Sequence, residues 1–169
     1  SIVFVVKPTG YRTVIDKDHL SRFYYIHKPA GSPTNLGFPG VEPTGPLPKQ
    51  INFPLQPMKE DATFDVVFFG DPQPRDQKEI DYIAHDVVED LVGVDAAFGV
   101  TLGDILFNDL SLFDSFNRTI GKIGIPWYNV IGNHDINFAA ETDELSDETY
   151  ERVYGPAYFS FNYGSVHFI

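Results

Sequence analysis

Hydrophobic and polar positions divide the chain into two parts that meet near residue 60. Residues 1–60 hold short apolar runs separated by turn residues, a pattern typical of strands and loops. From residue 61 onward, apolar runs of strand length alternate with stretches in which apolar residues recur every three to four positions. The sequence therefore predicts a β-rich first part, residues 1–60, and an α/β second part, residues 61–169.

The first part contains three strand candidates, at residues 2–6, 23–27 and 51–53. Between the last two, residues 29–48 hold six prolines and four glycines, a density that excludes a helix. Three short strands are too few for a β-sandwich. We therefore expect an incomplete β-rich N-terminal domain that ends in a Pro/Gly-rich linker.

The second part contains three apolar strands separated by two amphipathic stretches. The strand candidates are residues 64–69, 96–102 and 127–131. A strand–helix–strand–helix–strand order predicts parallel strands joined by right-handed crossovers. The expected fold class is therefore α/β, built on a βαβαβ unit.

Local signals set the bounds of the helices. Asp76 is a predicted N-cap with Glu79 as its capping-box partner, and Gly93 is the predicted stop. A second helix is expected over residues 113–123. Near the C-terminus, the pattern predicts a short helix after Ser146 and a hairpin that turns at residues 162–165.

Each predicted strand of the second part ends in glycine followed by polar residues. These ends are Gly70-Asp71-Pro72-Gln73, Gly103-Asp104 and Gly132-Asn133-His134-Asp135. In parallel sheets, ligands bind beyond the carboxyl ends of the strands. Carboxylate and amide oxygens suit Mn, Mg or Fe, and an imidazole extends the range to Zn. The sequence therefore predicts a metal site at this edge, with Asp104 placed between two ions.

The same residues suggest roles in catalysis. His134 could protonate a leaving oxygen or stabilise charge on a phosphoryl group. Asp135 could fix the tautomer of His134 and raise its pKa.

Composition narrows the chemistry. The chain has no cysteine, which excludes disulfides and thiolate metal ligands. Its net charge of −12 is uneven, because residues 1–60 hold seven Lys/Arg and four Asp/Glu, whereas residues 61–169 hold five and twenty. Such an acidic second part disfavours nucleic-acid binding. No apolar run of the sequence is as long as a membrane span. The sequence does not indicate an oligomeric state.

The strand-end motifs resemble the first three motifs of calcineurin-like metallophosphoesterases. Residues 1–57 resemble the N-terminal β-domain of one bacterial branch of that family. The resemblance implies part of a four-layer αββα core, made of the βαβαβ unit plus the hairpin. It also implies hydrolysis of phosphomonoesters or phosphodiesters by water activated at two divalent metal ions (Mn, Fe, Zn or Mg).

The resemblance assigns a role to each motif residue. Asp71 and Gln73 would bind the first metal, Asp104 would bridge, and Asn133 would bind the second. His134 would act on the substrate. The implied substrate is a phosphorylated small molecule or an envelope component, and the implied location is periplasmic or extracytoplasmic.

The chain departs from the family pattern in three ways. The first motif usually has His where this chain has Gln73, and the second often has Asp where this chain has Phe107. The family also supplies further histidine ligands from a later Gly-His-x-His region, which these 169 residues lack. We therefore expect the 169-residue chain alone to be inactive and to bind metal poorly.

A non-enzymatic alternative remains open at this point. Gln73 and Phe107 favour a degenerate phosphoesterase-like part. The Pro/Gly- and Tyr-rich first part would then be a surface- or glycan-binding module.

Overall fold

A computed structural model describes residues 1–169 and shows a mixed α/β protein with two three-stranded and two two-stranded sheets. The strands are β1 (Ile2–Phe4), β2 (Tyr11–Ile15), β3 (Ser21–Arg22), β4 (Tyr24–Ile26), β5 (Leu55–Pro57), β6 (Val66–Phe69), β7 (Phe98–Leu102), β8 (Trp127–Val130), β9 (Phe161–Tyr163) and β10 (Val166–Phe168). The helices are α1 (Gln77–Ile83), α2 (Glu89–Leu91), α3 (Phe113–Ile120) and α4 (Glu148–Tyr154). Short 3₁₀ turns span Leu110–Leu112, Gly121–Ile123 and Asp143–Leu145.

The central sheet has the order β6-β7-β8, and both pairings are parallel. Phe69 pairs with Thr101, and Thr101 pairs with Asn129. The predicted parallel βαβαβ arrangement is therefore confirmed. The register places the carboxyl ends of all three strands at one edge of the sheet.

One face of this sheet is covered by helices. A cluster of 15 buried residues, which includes Ile80, Phe116 and Trp127, fills this layer. Trp127 lies across Gly99 of the neighbouring strand, and its indole Nε1 donates to Thr101 Oγ1 at 2.9 Å. Buried hydrophobic area of this kind is the main source of the stability that fixes the strand ends.

The other face is only partly covered. A second cluster of Phe23, Phe98, Val100, Tyr128 and Phe161 joins the sheet to the β9–β10 hairpin and to the first part of the chain. Towards the carboxyl ends of the strands the cover stops. Phe68 is 53% exposed and Leu102 is 50% exposed. Parallel sheets are usually buried on both faces, so this uncovered half is unusual.

The first part differs from expectation in β2, β3 and β5, and the short β3, which pairs with β2, was not predicted. Residues 51–53 are not a strand, and β5 lies at Leu55–Pro57 instead. It pairs with β2, a strand that the apolar pattern missed, in an antiparallel register that sets Arg12 against Gln56. Pro57 is tolerated because β5 is an edge strand, where a missing N–H can face away from the ladder. The predicted strands at 2–6 and 23–27 are present as the shorter β1 and β4.

The first helix has the predicted N-cap, but its winding differs from that of a regular α-helix in the middle. The Asp76 carboxylate accepts the Glu79 N–H at 3.0 Å, as expected of an N-cap. The Glu79 side chain accepts from the Arg75 N–H at 2.7 Å, so the reciprocal half of a capping box is absent. A π-helical turn, Ala84–Val88, joins α1 to α2. Its wider winding rotates Val87 out of the apolar stripe, and Val87 is 41% exposed.

Glu60 lies where the two parts of the chain meet. Its buried carboxylate pairs with Lys7 Nζ at 2.7 Å and accepts the N–H groups of Gly10 and Gly164 at 3.0 and 2.9 Å. Lys7 also forms an isolated bridge with Phe161 of the hairpin. The division at residue 60 stays a prediction, but the first part packs directly on the second.

No helix of the structure combines the length and the apolar character that a membrane span needs.

Replacement of Gly99 by alanine tests the packing of the central sheet. A Cβ at this position would lie 2.0 Å from the Trp127 ring, so we expect a loss of about 1–3 kcal/mol in the free energy of unfolding. Gly70→Ala is the matched control, because a Cβ there meets nothing within 4 Å. Urea unfolding followed by circular dichroism measures both variants. Equal stability of the two variants would contradict this packing.

Candidate metal centre

Asp104 lies at the centre of the three strand-end loops. Its Oδ2 accepts from Gln73 Nε2 at 2.7 Å, and its Oδ1 accepts the backbone N–H of His134 at 3.0 Å. The backbone N–H of Gln73 donates to the Asp104 carbonyl at 3.1 Å. The loops after β6, β7 and β8 therefore meet around a single carboxylate.

The two remaining expected ligands lie on the same edge. Asp71 follows β6 and Asn133 follows β8, and both are exposed. Exposure leaves their oxygens accessible to an ion. The structure thus gathers Gln73, Asp104 and His134 by direct hydrogen bonds, and leaves Asp71 and Asn133 open on the same rim.

Backbone strain is concentrated at this edge. Five non-glycine residues of the chain have positive φ, and four of them lie here: Asp71 (43°), Gln73 (42°), Asp104 (45°) and Asn108 (68°). Each such conformation is disfavoured for a residue with a Cβ and costs about 1–3 kcal/mol. Strain of this kind clusters at functional sites, where the surrounding structure holds it in place. This concentration is independent structural support for a site at the strand ends.

Gly132 is required by the close approach of two loops. A Cβ at this position would lie 2.1 Å from both the backbone nitrogen and Oδ1 of Asp104. No side chain fits there, so the glycine lets the loop after β8 approach the carboxylate of Asp104.

Asp135 holds the same two loops together from beneath. It is fully buried, and its Oδ2 accepts the N–H groups of Ile105 and Gly132 at 3.0 and 2.9 Å. Its Oδ1 accepts the N–H of Leu106 at 3.1 Å. Burial raises the pKa of Asp135 to about 6, while the three backbone hydrogen bonds act in the opposite direction.

The expected partnership between Asp135 and His134 is not what the geometry shows. Both carboxylate oxygens of Asp135 are engaged by backbone N–H groups. The His134 ring instead contacts Asn108, whose Oδ1 lies 2.7 Å from Nδ1. Asp135 therefore holds the loops together. The contact with the His134 ring that the sequence predicted for Asp135 is made by Asn108 instead. Sequence reasoning missed Asn108 because nothing in the motif spacing singles out the fourth residue after Asp104.

The donor set fits a hard divalent cation only in part. Two carboxylates and two amide groups supply oxygen ligands, and no group of three or more acidic or histidine side chains is placed to hold a metal ion. Gln73 now turns its amide nitrogen towards Asp104, so its oxygen would face an ion only after rotation of the amide. These residues are too few to complete two metal sites by themselves.

Comparison with known proteins finds no match to a family model, to a curated protein or to a solved structure.

Replacement of Asp135 by asparagine tests its role in the loops. An amide would turn a donor towards buried backbone N–H groups and leave at least one unsatisfied, at about 1–3 kcal/mol each. We expect the free energy of unfolding to fall by about that amount. Asp71→Asn is the matched control, since this side chain is exposed and its replacement should leave stability unchanged. If both variants unfold at the same urea concentration, Asp135 does not hold the loops.

Proposed function

We propose that the protein hydrolyses phosphate esters in a metal-dependent reaction, as the resemblance to calcineurin-like metallophosphoesterases implies. The observation that supports this most strongly is that the loops after three parallel strands meet around Asp104. Their backbones are strained, and Gly132 allows the close approach. The likeness of the motif residues, in the expected order along the chain, supports it further. Both phosphomonoesters and phosphodiesters fit this chemistry.

The resemblance implies a role for each of these residues. Asp71, Gln73, Asp104 and Asn133 would hold divalent ions (Mn, Fe, Zn or Mg), with Asp104 between the two positions. Such ions would supply Lewis acidity that activates water and polarises a phosphoryl oxygen. His134 is half-buried beside Asp104 and would act on the substrate, while Asp135 keeps the two loops in register.

The incomplete donor set is part of the proposal. Two carboxylates and two amides do not make two complete coordination shells, so turnover requires further imidazole or carboxylate ligands. Residues 1–169 by themselves would then be inactive.

The finer architecture is also a proposal. The uncovered half of the central sheet forms an apolar groove of about 220 Å³, lined by eleven hydrophobic residues that include Phe68, Leu102 and Val130. A second sheet packed on this face would give the four-layer αββα core that the resemblance implies. Large exposed apolar faces usually mark a surface that another element covers.

A non-catalytic protein is the second candidate. Gln73 provides a neutral amide where an imidazole would bind metal more strongly, and Phe107 provides no ligand at all. Under this alternative the strand-end loops keep their shape through Asp135 but hold no ion, and the first part carries the binding function.

Hydrolysis by the protein in its longest natural form tests the proposal. With added Mn²⁺ we expect turnover of an aryl phosphate or an aryl phosphodiester, and loss of turnover after chelation. His134→Ala should lower kcat by about 10²–10⁴-fold, the usual contribution of acid–base catalysis. Asp109→Ala is the control, because that side chain only caps a 3₁₀ turn through Ser111. Metal-independent turnover, or turnover unaffected by His134→Ala, would contradict the mechanism, and a complete lack of turnover would favour the non-catalytic alternative.

A further inference from the structure

Two residues to which the family motifs assign no role, Phe107 and Asn108, hold the His134 ring. Asn108 Oδ1 lies 2.7 Å from Nδ1, and the Phe107 ring stacks on the imidazole with centroids 4.6 Å apart and planes 25° apart. Both residues lie in the loop after β7, whereas His134 lies in the loop after β8. The ring is therefore fixed in plane and in rotation by a neighbouring segment of the chain.

The backbone of Asn108 is strained in a way that serves this contact. Its φ is 68°, a left-handed conformation that asparagine adopts more readily than most residues. That conformation lies within a loop whose neighbouring residues Ile105 and Leu106 are already held by Asp135. The strained position thus delivers an amide to one nitrogen of the imidazole.

The direction of the hydrogen bond decides the tautomer. An amide oxygen can only accept, so a proton must lie on Nδ1 of His134. The other ring nitrogen, Nε2, has no hydrogen-bond partner in the protein and is not among the buried polar atoms that lack one, so it is open to solvent. A neutral ring held in this way presents its lone pair outward.

We propose that Asn108 is a positioning residue that holds His134 in the Nδ1–H tautomer, with Phe107 fixing the plane of the ring. Nε2 is then the one nitrogen through which His134 reacts with a substrate or accepts a hydrogen bond from it. Because an amide cannot take up the Nδ1 proton, this arrangement is the same whether or not Nε2 carries a proton. The catalytic meaning of this tautomer rests on the proposed hydrolase function, but the tautomer itself does not.

Nitrogen-15 NMR of the ring tests the tautomer directly. Spectra of protein with ¹⁵N-labelled histidine are recorded at increasing pH until the ring signals stop shifting, so that the neutral rings are observed. His134→Gln identifies the His134 signals among those of the five histidines. We expect a pyrrole-type Nδ1 and a pyridine-type Nε2. A neutral histidine free of constraint favours the opposite tautomer, so an Nε2–H form in the wild-type protein would overturn the proposal.

Three variants separate positioning from folding. Asn108→Gly removes the amide but suits the positive φ, so the loop should keep its shape while His134 shifts towards the Nε2–H tautomer. Asn108→Asp keeps an acceptor and should retain the Nδ1–H form. Asn162→Ala is the matched control, because Asn162 Oδ1 lies 2.6 Å from Nδ1 of the exposed His167, and its loss should change only the His167 signals. An unchanged His134 tautomer in Asn108→Gly would overturn the proposal.

Kinetic measurements test whether the tautomer matters for catalysis. They keep the role of Asn108 separate from the proposed hydrolase function. In the hydrolysis assay, Asn108→Gly should lower kcat by roughly 10–100-fold with KM nearly unchanged, as removal of an orienting partner of a functional histidine does. The NMR measurement needs neither metal nor substrate. A protein that shows the expected tautomer but no turnover would refute the hydrolase function alone, whereas turnover with the wrong tautomer would refute the role of Asn108 alone.

Discussion

The buried carboxylate of Asp135 is the contact on which the candidate site depends. Its three backbone hydrogen bonds join the loop after β7 to the loop after β8. With those loops joined, Gly132 can lie against Asp104, and the His134 N–H can reach the Asp104 carboxylate. A single carboxylate thus holds the loops at two neighbouring strand ends against each other.

The packed sheet beneath supplies the rigidity for the strain at this edge. Trp127 lies across Gly99, and Tyr150 of α4 donates its hydroxyl to the Asn129 carbonyl at 2.7 Å. Four strained residues lie in the loops that follow β6 and β7. Their combined cost is several kcal/mol by the usual values, a large fraction of the stability of a small domain. Strain on this scale at one edge, and nearly absent elsewhere, is more consistent with a binding site than with a set of ordinary turns.

The sequence predicted the parts of the fold that rest on strong local patterns. The three apolar strands, the Asp76 cap and the C-terminal hairpin are present because burial, capping and a two-residue turn each have a short-range signature. The position of β5 could not be predicted, because it is decided by pairing with β2, and the 39 residues 16–54 separate the two strands. The π-helical turn and the outward rotation of Val87 likewise have no signature in an apolar pattern that assumes 3.6 residues per turn.

The position of the candidate residues at one edge of the sheet was predictable, but their contacts were not. Glycine followed by a polar residue at the end of each strand identified Asp71, Asp104 and Asn133, since parallel strands share one edge. The hydrogen-bond partners were not predictable, because they depend on which loop segments meet in space. For this reason the sequence predicted that the His134 ring contacts Asp135, its neighbour in the chain. In the structure the ring contacts Asn108.

The central claim is that divalent ions bind where the three strands end. Exposed carboxylates along residues 76–95, among them Asp81, Asp86 and Asp90, are a competing place for cations. Paramagnetic broadening of backbone amide signals by small amounts of Mn²⁺ distinguishes these places even when binding is weak. We predict that the amides of Asp71, Asp104 and Asn133 broaden first, and that Asp104→Ala removes the effect. Broadening that is strongest along residues 76–95, or that is unchanged in Asp104→Ala, would contradict a metal centre at the strand ends.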